Sequence, residues 1–146
     1  MNETGGAIRQ LLQKEQFAAM STAKGDEPYI NLVAFAGTDD LASIIFCTPQ
    51  KTRKYDNLQH NPRVALLVEN SRNQAVDLTQ AMALTAIGRA ILTTAVAEPD
   101  SANLFLDKHP HMKQFVYDSA TALVWVRVEK YLLVKNFQDT LTYTIE

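Results

Sequence analysis

The segment from Thr48 to Pro62, TPQKTRKYDNLQHNP, decides how this chain reads. It follows an apolar run, Ile44-Ile45-Phe46, with the composition of a strand, which Thr48-Pro49 is expected to end. Lys51, Thr52, Arg53 and Lys54 then place three cations and a hydroxyl at the first turn of a short helix. Tyr55 and Leu58, three apart, give that helix one apolar face, and Asn61-Pro62 stops it. The N-terminus of a helix has unpaired N–H groups and the positive end of the dipole, so it favours anions and disfavours cations. Three cations there point either to a bound phosphate, with Arg53 giving forked bonds and Lys54 a point charge, or to a solvated basic turn.

Working outward, the chain alternates like a small β protein. Phe17 to Ala23 reads as a strand, Lys24 to Pro28 as a turn, and Tyr29 to Ala36 as a second strand. On that second strand Ile30, Leu32, Ala34 and Ala36 share one face, while Tyr29, Asn31, Val33 and Phe35 share the other. Both faces are largely apolar, which calls for a cover on each side, most simply a second subunit. Ala42 to Cys47, Arg63 to Glu69, Met82 to Thr93 and Ala122 to Val134 continue the series, and Thr140 to Ile145 adds a seventh strand. Gly88, in the middle of its strand, signals a bulge or the close approach of another backbone. Residues 6–14 and the stretch from Glu98-Pro99 to about Lys108 carry helical spacing, while residues 70–80 read as a polar loop. The expected fold is mainly β with short helices, an antiparallel six- to seven-stranded split β-barrel in a single domain over residues 1–146.

Composition narrows the function classes. A chain of 146 residues, 47% apolar and 21% charged, can bury a core of its own. A net charge of −2 gives no general footprint for nucleic acid. A single cysteine, Cys47, excludes an intrachain disulfide, and its apolar strand context favours an inert thiol. No apolar run is long enough for a signal segment or a membrane span, so a cytoplasmic location is the expectation. His109 and His111 flank Pro110 without a nearby Cys or carboxylate partner and read as a helix stop, so no metal ligand is assigned. Gly-rich Rossmann and P-loop signatures are missing from the sequence.

The ordered set Thr48-x3-Thr52-Arg53-Lys54-x6-Asn61-Pro62-Arg63-Val64, after a strand ending in Phe46, resembles the FMN-binding stretch of the pyridoxamine 5′-phosphate oxidase-like split-barrel family. Pro28-x2-Asn31-x-Val33, followed by Gly37, is similar to that family's first FMN-contacting strand, and the stretch from Ala81 to Gly88 to its following long strand. The resemblance, over about residues 16–134, implies FMN as cofactor and a homodimer with the flavin in a cleft between the subunits. By resemblance Arg53, Lys54 and Thr52 would hold the phosphate, and Thr48 the phosphate or the flavin edge. Asn31, Leu32 and Val33 would lie along the ring, and Trp125 would approach the flavin of the other subunit. Arg63 and Arg89 are further phosphate candidates, and a small-molecule substrate or NAD(P)H would meet the free face near Tyr29, Trp125 or Phe35. The sequence departs from the true oxidase: Asn31 stands where that enzyme has Arg, Met82-Ala83-Leu84 replaces a Gln-x-Arg pair, and a C-terminal Arg-x-His pair is missing. The expected activity is therefore that of an FMN-dependent oxidoreductase on another substrate. A non-catalytic FMN or haem protein of the same fold is the alternative, and a cofactor-free barrel that contacts a polyanion is a third reading.

Overall fold

The computed structural model describes residues 1–136 and 138–146. Period-two patterning becomes one antiparallel sheet of eight strands: β1 (Phe17–Lys24), β2 (Glu27–Ala34), β3 (Ala36–Gly37), β4 (Ser43–Pro49), β5 (Arg63–Glu69), β6 (Ala83–Thr93), β7 (Thr121–Lys135) and β8 (Asp139–Thr144). The order is β2-β1-β5-β6-β7-β4-β3, with β8 paired to β7. Helices α1 (Glu3–Lys14), α2 (Arg53–His60), α3 (Asp77–Gln80), α4 (Pro99–Lys108) and α5 (Lys113–Val116) are interleaved, with a 3₁₀ turn at Pro110–Met112. The two edge strands, β2 and β3, are consecutive in the chain and separated by Phe35 alone. The sheet therefore curls until one residue closes it.

The expected Tyr29–Ala36 strand is thus two strands with a corner at Phe35. The corner is held by buried contacts. The Phe35 carbonyl accepts a hydrogen bond from His109 Nε2 at 2.8 Å, and Lys108 Nζ lies 3.9 Å from the Phe35 ring centroid. Lys108 Nζ also donates to the carbonyls of Leu12 (2.8 Å) and Glu15 (2.6 Å), so the end of α4 ties the seam to the end of α1. Nearby, the fully buried Tyr131 donates its hydroxyl to the carbonyl of Leu41 at 2.8 Å.

The inner wall is the alternate set of each strand. Ala18 and Met20, Ile44 and Phe46, Val64 and Leu66, Leu84 and Ala86, and Val124 and Val126 form one buried cluster, which α1 joins through Ile8, Leu11 and Leu12. Burial contributes about 1.5–3 kcal/mol for each large side chain. The helix α1 starts earlier than its periodicity suggested, because Asn2 accepts from the Gly5 N–H and caps it.

Gly88 behaves as the sequence implied. The β6–β7 register shifts between Ile87 and Gly88, and a Cβ on Gly88 would collide with the Arg127 carbonyl oxygen. The irregularity has a topological use. On its other edge β7 pairs with β4 up to Arg127 and with β8 from Lys130. The bulge falls where the long strand exchanges one neighbour for another.

The outer wall has two parts. Over β3, β4 and β7, Ala36, Ile45 and Leu123 are buried beneath α4 and α5 with Ala102, Phe105 and Val116. Over β1, β2 and β5, Phe17, Ile30, Leu32 and Leu67 are 57%, 65%, 65% and 40% exposed. The register places Ala19 between Leu32 and Leu67, so these side chains form a continuous apolar surface.

Candidate functional site

The site begins where β4 runs into α2. The strand continues through Thr48 and Pro49 rather than stopping before them. Thr52 is the N-cap of α2, accepting from the Tyr55 N–H at 3.3 Å and donating to the Pro49 carbonyl at 3.0 Å. Thr48 is fully buried, its hydroxyl 3.2 Å from that of Thr52 and 3.2 Å from the Pro49 carbonyl. Thr48 thus fixes the cap from within the protein, and Thr52 carries the hydroxyl nearer the surface.

The helix sits on the barrel through Leu58, part of the core, and through a buried hydrogen bond from Asn57 Nδ2 to Thr22 Oγ1 at 3.0 Å. Sequence reading missed this pair; the available signal was a polar residue beside Leu58 on the apolar face. Lys54 is three and four residues before Asn57 and Leu58, so it shares their stripe. Partial burial lowers its pKa, and among the described residues its side chain makes no ion pair or hydrogen bond. A desolvated ammonium without a counter-ion is a suitable partner for an incoming anion.

Arg53 turns to the other flank. Its guanidinium lies 3.8 Å from Glu27 and 5.4 Å from the centroid of the Tyr29 ring. Lys24 pairs with Asp56 at 2.9 Å. These groups and Asn57 line a cleft of about 270 Å³ between α2 and the β1–β2 hairpin, which turns at Gly25 with φ +62°. The cleft can take a phosphate and a short chain; a three-ring flavin would have to extend beyond it.

On β2 the three expected contact residues divide between the two faces. Val33 is committed to the core, which leaves its backbone for a ligand, whereas Leu32 projects onto the bare outer wall. Asn31 Oδ1 is buried and accepts no hydrogen bond among the described residues, while Nδ2 makes only a long contact, 3.5 Å, to the Leu32 carbonyl. An orphaned buried acceptor is costly and calls for a donor.

Other candidates lie elsewhere. Trp125 is half-buried on the outer wall under α4 and α5, with Arg127 stacked 5.4 Å from its ring centroid. Phe35 is fully buried at the seam, so its ring cannot line an open flavin face. Arg63 and Arg89 are register partners, and Arg89 pairs with Glu129 at 3.6 Å. Burial raises the pKa of the Cys47 thiol to about 12, in keeping with an inert group. His109 is buried and bonded to the seam, and burial lowers its pKa. Among the described residues no three His, Cys, Asp or Glu side chains group as a metal site, and no helix is long and apolar enough to cross a membrane.

Comparison with known proteins adds the decisive observation: residues 4–135 match the family model described as Pyridoxamine 5′-phosphate oxidase. The chain belongs to the pyridoxamine 5′-phosphate oxidase family. Solved structures share this fold at low identity. A heme binding protein from Mycobacterium smegmatis superposes with a TM-score of 0.84 at 16% identity, over 99% of this chain and 59% of that one. General Stress Protein 26 from Bacillus anthracis gives 0.75 at 16%, over 99% and 100%. A FAD-binding protein from Mesorhizobium loti gives 0.67 at 14%, over 87% and 89%. This chain thus spans little more than half of the mycobacterial protein. No curated protein matches it. Among the structural neighbours of this chain, one is thus described as binding haem and another as binding FAD.

Proposed function

We propose that this protein binds FMN in a cleft completed by a second copy of the chain and acts as an FMN-dependent oxidoreductase on a small molecule, with NAD(P)H as a candidate electron donor. The observation that carries the reading is the start of α2. There a capped helix N-terminus, a half-buried Lys54 without a counter-ion among the described residues and a nearby Arg53 form a donor set suited to a phosphate monoester. Asn31 Oδ1 would accept from a hydroxyl or N–H of the ligand. The bare wall around Leu32 supports the second half: a homodimer formed across it would cover the apolar surface and enclose the flavin ring. When bound, flavin supplies one- or two-electron chemistry. The chain's part is to anchor the phosphate, orient the ring and limit water. Tyr29 and Arg53 border the cleft, and no general base is required of them.

A haem-binding reading draws on the mycobacterial neighbour, but it finds less support in this chain. The Nε2 of His109, the buried histidine, is already used at the seam.

The test is a titration of purified protein with FMN followed by flavin fluorescence, with Arg53→Ala plus Lys54→Ala as the paired variant. Each charge-assisted bond contributes about 1.5–3 kcal/mol, so losing two should weaken binding by about two to four orders of magnitude. Equal affinity in both proteins would remove the phosphate assignment. Bleaching of the bound flavin by NADPH, with reoxidation by an added acceptor, would favour turnover over storage.

A further inference from the structure

The cleft beside α2 contains its own anions. Glu27 and Asp56 line it together with Lys24 and Arg53. Lys24 is occupied by Asp56 at 2.9 Å, and Arg53 by Glu27 at 3.8 Å. Arg53 is also drawn over Tyr29, two residues from Glu27 on the same face of β2. The pairing of Lys24 with Glu27 in the β1–β2 register closes the hairpin directly beside the helix. The guanidinium therefore already faces a carboxylate at the end of the cleft. An anion that recruits Arg53 must displace that carboxylate and then bind within its field. Both groups are largely exposed, so Glu27 can swing into water once displaced, and the exchange is inexpensive.

We propose that Glu27 is a specificity-determining residue: a resident counter-ion that competes with the ligand's phosphate for Arg53. This rests on the phosphate site proposed above. Its consequence is to narrow the selectivity that Arg53 confers. A ligand ending in a phosphate dianion must exchange with Glu27 before Arg53 can join its donor set. A flavin without the phosphate has nothing to exchange and leaves the Arg53–Glu27 pair closed. Lys54, on the other flank of the helix, is not part of the competition.

A double-mutant cycle read by flavin-fluorescence titration tests this, with FMN and riboflavin as probes and Glu27→Gln, Arg53→Gln and the double substitution as variants. The substitution at Glu27 is on an exposed hairpin end and leaves the core untouched. Glu27→Gln should tighten FMN about fivefold, the scale of a surface ion pair, and leave riboflavin unchanged. In the Arg53→Gln background the same substitution should give less than half of that gain, because the pair no longer exists. The proposal is overturned if Glu27→Gln changes FMN and riboflavin alike, leaves FMN unchanged, or acts equally with and without Arg53. If the unsubstituted protein binds FMN no better than riboflavin, the phosphate site itself is lost, and this role of Glu27 with it.

Discussion

The two parts of the outer wall are made of the same kinds of residue and end up in different surroundings. On β4 and β7, Ile45 and Leu123 lie under Phe105 and Val116 of α4 and α5. On β1, β2 and β5, Phe17, Ile30, Leu32 and Leu67 meet water. Both parts belong to one sheet with the same pleat, so strand patterning alone does not separate them. The difference is whether the chain supplies a helix. Where it does, the wall is part of the monomer's own core. Where it does not, the wall is surface that only another molecule can bury, and the proposed second copy would do so beside the cleft at α2.

The largest expected effect is on the covered part. Phe105→Ala should cost about 3–5 kcal/mol in a denaturant titration, because a fully buried ring leaves a cavity between helix and sheet. A loss near zero would mean that the helix lies loosely on its wall and that the two parts are alike after all. On the bare part, Ile30→Glu with Leu32→Glu should change the stability of the folded monomer by no more than about 0.5 kcal/mol per site. The same pair should convert a dimer to a monomer in sedimentation at micromolar concentration, because a desolvated carboxylate in a dimer interface is strongly unfavourable. An unchanged assembly would direct the search for the dimer surface elsewhere.

A smaller effect separates the two parts by pH. His109 anchors the covering helix to the seam, and burial depresses its folded-state pKa below the ordinary histidine value of about 6.5. Its contribution to stability is therefore complete above about 6.5 and is lost as pH falls through the folded pKa. Thermal melts should decline from pH 7 towards pH 5, and His109→Gln, which keeps an N–H for Phe35, should flatten that decline. Lys108 acts in a different window. Burial holds its pKa at about 8, so its contribution is complete above the ordinary lysine value of about 10.4 and decreases as pH falls through 8. An acid-side decline that survives in His109→Gln would assign the acid sensitivity to other groups.

Much of the barrel was legible in the sequence because each strand packs one face inward and writes that as alternation. Gly88 was legible for a different reason, since only a residue without a Cβ fits against the Arg127 carbonyl. The corner at Phe35 was not. The residues on both sides of it are apolar and extended, and the bend comes from closing the sheet rather than from any local turn residue. The four-residue α5 is too short to show periodicity. At the site, the cap at Thr52 and the cations after it were readable from chain order. The Glu27 carboxylate that meets Arg53 and the Asp56–Lys24 pair beside it were not, because a hairpin far away in sequence brings Glu27 and Lys24 to the helix.

The single-residue seam also limits what the gene can tolerate. Most surface loops absorb an inserted residue by bulging outwards, but at Phe35 there is no loop to bulge. One additional amino acid beside it would turn the side chains of β3 to the opposite face and pull the Phe35 carbonyl away from His109. Length variation among related chains should accordingly collect in the β5–β6 connection and avoid residues 34–36.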